Sequence, residues 1–150
     1  MKRFRFNLRP VSVIRTHHEM RARDAFATAV HLYVEAEEKL ARVRERKAEF
    51  EAALFAGRRD RFHAAAEAQT LAAYRRECLE EMETERGVIA ARALMIQRRA
   101  EYVEAHRRLE VVNRLEAKAR ATHRQAANRE EQAEFDEFAG RAAHRKLAAV

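Results

Sequence analysis

Turns need residues that break regular backbone, and this chain of 150 residues has few to offer: 3 Gly and 1 Pro. A compact fold of this length would need more turns than that supply suggests. Long helices are the natural alternative. The apolar fraction of 47% does not argue otherwise. Most of it is alanine, which buries a single methyl and contributes a fraction of what Leu or Phe contributes. A large core is therefore not expected. Helices meeting along a narrow stripe are.

Apolar residues recur at helical spacing in two segments. In the first they fall at Ala22, Phe26, Ala29, Tyr33, Ala36, Leu40 and Val43, then Lys47 as an exception, then Phe50 and Leu54. Steps of 3 and 4 give a 3.5-residue repeat, the seam of a coiled coil. Pro10 precedes this run, where proline suits a helix's first turn. The run stops at "FAGRRDRF". Gly57 is expected to take the left-handed conformation that ends a helix, and Asp60 to cap the next one. The second segment offers Ala65, Ala68, Ala72, Arg75, Leu79, Met82, Arg86, Ile89, Ala93, Ile96, Ala100 and Val103 as its seam, again in steps of 3 and 4. Gly87 inside it costs about 1 kcal/mol relative to Ala. Beyond Val103 the phase slips, and a weaker frame restarts at Val112. No strong breaker lies at residues 104–111, so one continuous helix is expected rather than two.

These patterns predict an all-α fold: an antiparallel two-helix coiled-coil hairpin with a long C-terminal helix overhanging the first. One coiled-coil domain spans 1–150, with helix 1 at about 11–55, a turn at 56–61 and helix 2 at about 62–146. Folded back at Gly57, Leu54 faces about Ala65 and Arg15 faces roughly Val103. From about residue 112 helix 2 has little left to pair with, an overhang of roughly 50 Å at 1.5 Å per residue. Pairs such as Glu116–Arg120 and Glu137–Arg141 support it as a solvated helix.

Charge narrows the function. The net charge is +7, with charged residues at 37%. Residues 1–30 hold seven Lys and Arg against Glu19 and Asp24, so the N-terminus can attract an acidic partner. A single cysteine, Cys78, rules out an internal disulfide and fits a reducing compartment. No apolar run approaches a membrane span, and no apolar region follows the basic start, so neither an anchor nor a signal peptide is expected. Three scattered glycines cannot build a phosphate-binding loop. The histidines are isolated or, as His17 and His18, point to different faces, so no metal site is expected. Cys78 has no base beside it, and the carboxylates alternate with arginines four residues away, as solvated ion pairs do. The expectation is a non-enzyme without cofactor or small-molecule substrate. Phe4 and Phe6, interleaved with Lys2, Arg3 and Arg5, could stack on bases, but acids throughout the later basic stretches argue against nucleic acid. An anchor covering the hairpin's open end is the preferred reading of the two phenylalanines.

Both ends of the chain carry a resemblance. "KRFRFNLRPVSVIR" resembles the opening, and "LEVVNRLEAKARATHRQAANREEQAEFDEFAGRAAHR" the ending, of the FliJ family of flagellar type III export proteins. The matching positions near the end are Leu109, Glu110, Glu131, Gln132, Phe135, Asp136, Glu137, Phe138, Ala139 and Arg141. The resemblance implies a cytoplasmic coiled coil similar to the rotor stalk of rotary ATPases. It would be peripheral at the cytoplasmic face of the inner membrane through its partners alone. Those partners would be the export ATPase hexamer, the cytoplasmic domain of the export gate, and export chaperones that it escorts. The family's gate-contacting patch maps to Val43, Phe50, Tyr74 and Cys78. Arg46 and Glu85 stand there in place of an expected aromatic and a neutral residue, and Val43 and Phe50 fit equally well as ordinary seam residues. For the ATPase ring the candidate contacts are Arg21 and Arg23 on helix 1 with Arg141 and Arg145 on the tail, because guanidinium forks suit acidic loops. Phe135 and Phe138, three apart on one face, either contact the ring or receive Phe4 and Phe6. The alternatives are the matching stalk of a virulence-type injectisome, and a structural or nucleic-acid-associated basic coiled coil without an ATPase partner.

Overall fold

A computed structural model describes residues 3–59 and 63–148, the side chains of Arg58 and residues 143–148 excepted. Two helices account for it: α1, Arg9–Arg59, and α2, Ala64–Ala148. They pack against each other, and the all-α two-helix hairpin expected from the sequence is what forms. Pro10 lies in the first turn of α1, where its missing N–H costs nothing. The expected stop at Gly57 does not occur. Gly57 is helical, no glycine among the described residues has positive φ, and α1 runs on to Arg59. Asp60, the expected cap, lies outside the described residues. α2 is one uninterrupted helix through residues 104–111, as the absence of a breaker implied.

The described chain divides into two units, Met20–Glu104, and Met1–Glu19 with Ala105–Val150. In the unit Met20–Glu104, the α1 seam is the expected one. Ala29 and Val43 are buried, and Ala22, Phe26, Tyr33, Ala36, Leu40, Lys47, Phe50 and Leu54 are half-buried.

The α2 seam is not the expected one. All twelve of the residues assigned to it, from Ala65 to Val103, are exposed. The face turned inward instead carries Thr70, Tyr74, Glu77, Glu81, Thr84, Val88, Ala91, Met95, Arg98 and Tyr102, each half-buried or buried and again 3 or 4 residues apart. Polar groups decide this choice. Lys47 and its neighbours Arg44 and Arg46 on α1 meet acids on α2. Arg44 donates to Glu81 at 2.9 Å and to Glu85 at 2.7 Å. Arg46 reaches Glu77 at 3.1 Å and Glu80 at 3.3 Å. Lys47 donates to the second oxygen of Glu81. Thr84, buried against this cluster, returns its hydroxyl to the carbonyls of Glu80 and Glu81, so the seam holds no orphaned hydroxyl there. At the other end of the unit Phe26 stacks on Tyr102, rings 6.1 Å apart and nearly parallel. The arrangement leaves Leu79, Met82, Ile89 and Ile96 mostly in water, forgoing roughly 1–2 kcal/mol of burial for each.

In the unit Met1–Glu19 with Ala105–Val150, the inward positions of α2 are Ala105, Leu109, Val112, Glu116, Ala119, His123 and Ala127. The phase does not slip after Val103, since these positions continue the observed spacing. His106 Nδ1 lies 3.5 Å from Glu19. The non-helical residues before α1 pack as well. Phe4 meets His123 edge-on with ring centroids 5.4 Å apart, and the Arg120 guanidinium sits 5.6 Å above the Phe4 ring. Val112 is buried, so α2 is still paired where the sequence placed its free end. Exposure becomes continuous only from Asn128 to Ala142.

Candidate partner-binding surfaces

The tail candidates come first. Phe135 and Phe138 are each 74% exposed, the most exposed large apolar residues described. Helix spacing of three puts both on one side of α2. They do not receive Phe4, whose ring is occupied by His123 and Arg120. Glu137 and Arg141 form the expected (i, i+4) pair at 3.2 Å, as do Glu116 and Arg120 at 2.7 Å. The side chain of Arg145 lies outside the described residues. Arg21 and Arg23 are exposed on α1 in the other unit.

The gate candidates share one level of the unit Met20–Glu104. Hydrogen bonding to Cys78 raises the pKa of the Tyr74 phenol, and the neighbouring charges felt by Tyr74 come from Glu51 and Lys47 of α1. Phe50, Tyr74 and Cys78 are half-buried and keep an outward edge. Val43 is fully buried. It packs the seam and offers no surface to a partner.

Beside these residues stands the cation–carboxylate cluster that sequence reading missed. Arg44, Arg46 and Lys47 all have raised pKa values, in each case first through hydrogen bonding to a glutamate. Glu81 is held below the ordinary carboxylate value by hydrogen bonds from Lys47 and Arg44. The signal was present in the sequence. A basic run, Arg42 to Lys47, lies on one helix and an acidic run, Glu77 to Glu85, on the other. Among the described residues no three His, Cys, Asp or Glu side chains converge as a metal site would require, and no helix is long and apolar enough to cross a membrane.

Residues 4–148 match the family described as "Flagellar FliJ protein". The chain belongs to the FliJ family. The match takes in the packed Phe4 strap, both helices and the exposed tail, so every surface described above lies inside the family's extent. Membership makes the chain a component of flagellar protein export. Comparison with curated proteins and with solved structures gave no match.

Proposed function

We infer that this FliJ-family chain is a non-catalytic stalk of the flagellar export ATPase ring and an escort for export chaperones. The observation that supports the reading is the tail. α2 stays helical to Ala148 although every position from Asn128 to Ala142 is exposed, and two large aromatic side chains stand on that stretch without cover. A phenylalanine pair held mostly in water is costly unless a partner takes it up. An arginine four residues beyond Glu137 adds the fork that suits an acidic loop. On this reading Phe135, Phe138, Arg141 and Arg145 meet the ring, together with Arg21 and Arg23. The export gate would be met by the outward edges of Phe50, Tyr74 and Cys78. The chain performs no chemistry, and acts by biasing ring assembly or subunit conformation at the cytoplasmic face of the inner membrane.

The test is binding to the cognate export ATPase, together with its hydrolysis rate with and without this protein. Co-purification and a changed rate are expected. Phe135→Ala with Phe138→Ala should weaken binding at unchanged helicity. Failure to bind and an unchanged hydrolysis rate would defeat the stalk reading.

A further inference from the structure

The outer face of α2 in the unit Met20–Glu104 carries a second apolar seam that nothing in the hairpin uses. Ala72, Arg75, Leu79, Met82, Arg86, Ile89, Ala93, Ile96, Ala100 and Val103 all lie outside, in unbroken steps of 3 and 4. Leu79 is 64% exposed, Ile89 69% and Ile96 56%. Each stripe position follows an inward position by one or two residues, which puts the stripe about 150° around the helix from α1. A heptad seam of this kind is cut to receive another helix.

We propose that the occupant is the same stripe of a second copy of this chain, running antiparallel. The sequence of the stripe is self-complementary only in that direction. Pair residues whose numbers sum to 175, and Leu79 meets Ile96, Met82 meets Ala93, Arg86 meets Ile89, Arg75 meets Ala100 and Ala72 meets Val103. Leu79, Met82, Ile96 and Val103 gain apolar neighbours, Ile89 packs on the aliphatic stem of Arg86, and no two charges of the same sign are set directly opposite. A parallel pairing in register would set Arg75 on Arg75 and Arg86 on Arg86, like-charge contacts that disfavour it. The flanks agree with the antiparallel choice. Glu85, one oxygen of which accepts from Arg44 within the hairpin, and Arg92 border the stripe on one side, and the two-fold brings Glu85 of each copy toward Arg92 of the other, so the flanks carry opposite charge.

The area is sufficient for a reversible dimer. From Ala72 to Val103 the stripe is about 47 Å long, and at a helix width of about 10 Å two copies would cover roughly 1,000 Å² in total, the lower bound for a specific interface. The two-fold lies between residues 87 and 88, and α1 of each copy remains on the far side of its own α2.

The experiment is light scattering on the full chain over a concentration series, at about 1 to 100 μM. A molar mass rising from 17.5 kDa toward twice that value is expected. Leu79→Asp with Ile96→Asp should hold the mass at 17.5 kDa with unchanged helical circular dichroism, because both positions are solvent-exposed in the single chain. Direction is read by disulfide trapping in a Cys78→Ala background. A mixture of Leu79→Cys and Ile96→Cys chains should oxidise to the mixed dimer in excess over either self-linked dimer. A mass that stays at 17.5 kDa at every concentration would overturn the proposal. So would a dimer indifferent to the two aspartates, or preferential self-linking of Leu79→Cys.

Discussion

Which face of α2 lies against α1 is open to a direct energetic test, because the two candidate faces carry side chains of similar size. Val43 on α1 and Val112 on α2 are buried, at 0% and 7% exposure, whereas Leu79 and Ile89 on the opposite face of α2 are mostly in water. Truncating Val43 to alanine removes two carbons from a site with no solvent. At about 0.8 kcal/mol per buried methylene, plus a term for the cavity, the loss is about 2–2.5 kcal/mol. Alanine's better helix propensity returns about 0.5 kcal/mol. The expected net cost is therefore about 1.5–2 kcal/mol for Val43→Ala, and slightly less for Val112→Ala. The same arithmetic has the opposite sign outside. Ile89→Ala and Leu79→Ala lose little burial in the single chain and gain a few tenths of a kcal/mol in propensity, so they should be neutral or faintly stabilising. Urea unfolding followed by helical circular dichroism reports all four, run at submicromolar protein so that self-association does not contribute. If Ile89→Ala or Leu79→Ala cost as much as Val43→Ala, the inward face assigned to α2 would be refuted, and the free apolar stripe would vanish with it.

Other expectations follow from individual sites. Gly87 is helical, and an added Cβ would meet nothing within 4 Å; Gly87→Ala should raise stability by about 1 kcal/mol in the same unfolding assay. The Glu81 carboxyl is depressed by Lys47 and Arg44, so its contribution is present above its ordinary value of 4.5 and is lost as pH falls through the lower, folded-state value. The wild type should accordingly lose more thermal stability than Glu81→Gln on acidification from roughly pH 5 to pH 3, and equal losses would count against the cluster. Phe4→Ala removes one edge-on aromatic contact and one cation–π contact, about 1 kcal/mol locally. It should speed proteolysis between residues 3 and 8 while leaving the unfolding midpoint of the rest nearly unmoved.

How much of this was legible beforehand differs between the two helices. The α1 seam could be read completely, because Phe26, Tyr33, Leu40, Val43, Phe50 and Leu54 are large, apolar and confined to one face, so pattern and burial coincide. α2 carries apolar residues at heptad spacing on two faces. The face with Leu79, Met82, Ile89 and Ile96 is the greasier one, and a rule that ranks faces by apolar content selects it. The winning face is rich in Glu and Thr, and its advantage lies in partners on α1 that no single-helix pattern contains. The helix end was misjudged at Gly57 for a related reason. Glycine permits a left-handed stop without requiring one, and α1 continues for two residues beyond it. The exposure of the Phe135–Arg141 stretch was legible because the frame after Val112 is poor in large apolar residues. For Val43 the sequence allowed both a docking patch and an ordinary seam position, and its full burial fits the seam.

The ionic cluster also accounts for the register. Alanine-rich seams are poor at fixing one, since a slide of seven residues replaces one set of methyls with another. The observed pairs Arg44–Glu81, Lys47–Glu81 and Phe26–Tyr102 have residue numbers summing to about 126. The pairing expected from a fold-back at Gly57, Leu54 with Ala65, sums to 119, so both the register and the face of α2 differ from the expected ones. In that register Arg44 and Arg46 would approach Arg75 and Arg76 instead of Glu77, Glu81 and Glu85. Arg44 and Arg75 would then face each other across the seam, a like-charge contact in place of the observed ion pairs. The acids of α2 therefore do two things that its apolar residues cannot. They choose the face that meets α1, and they disfavour the register expected from a fold-back at Gly57. The apolar stripe, released from packing the hairpin, is left free for another helix.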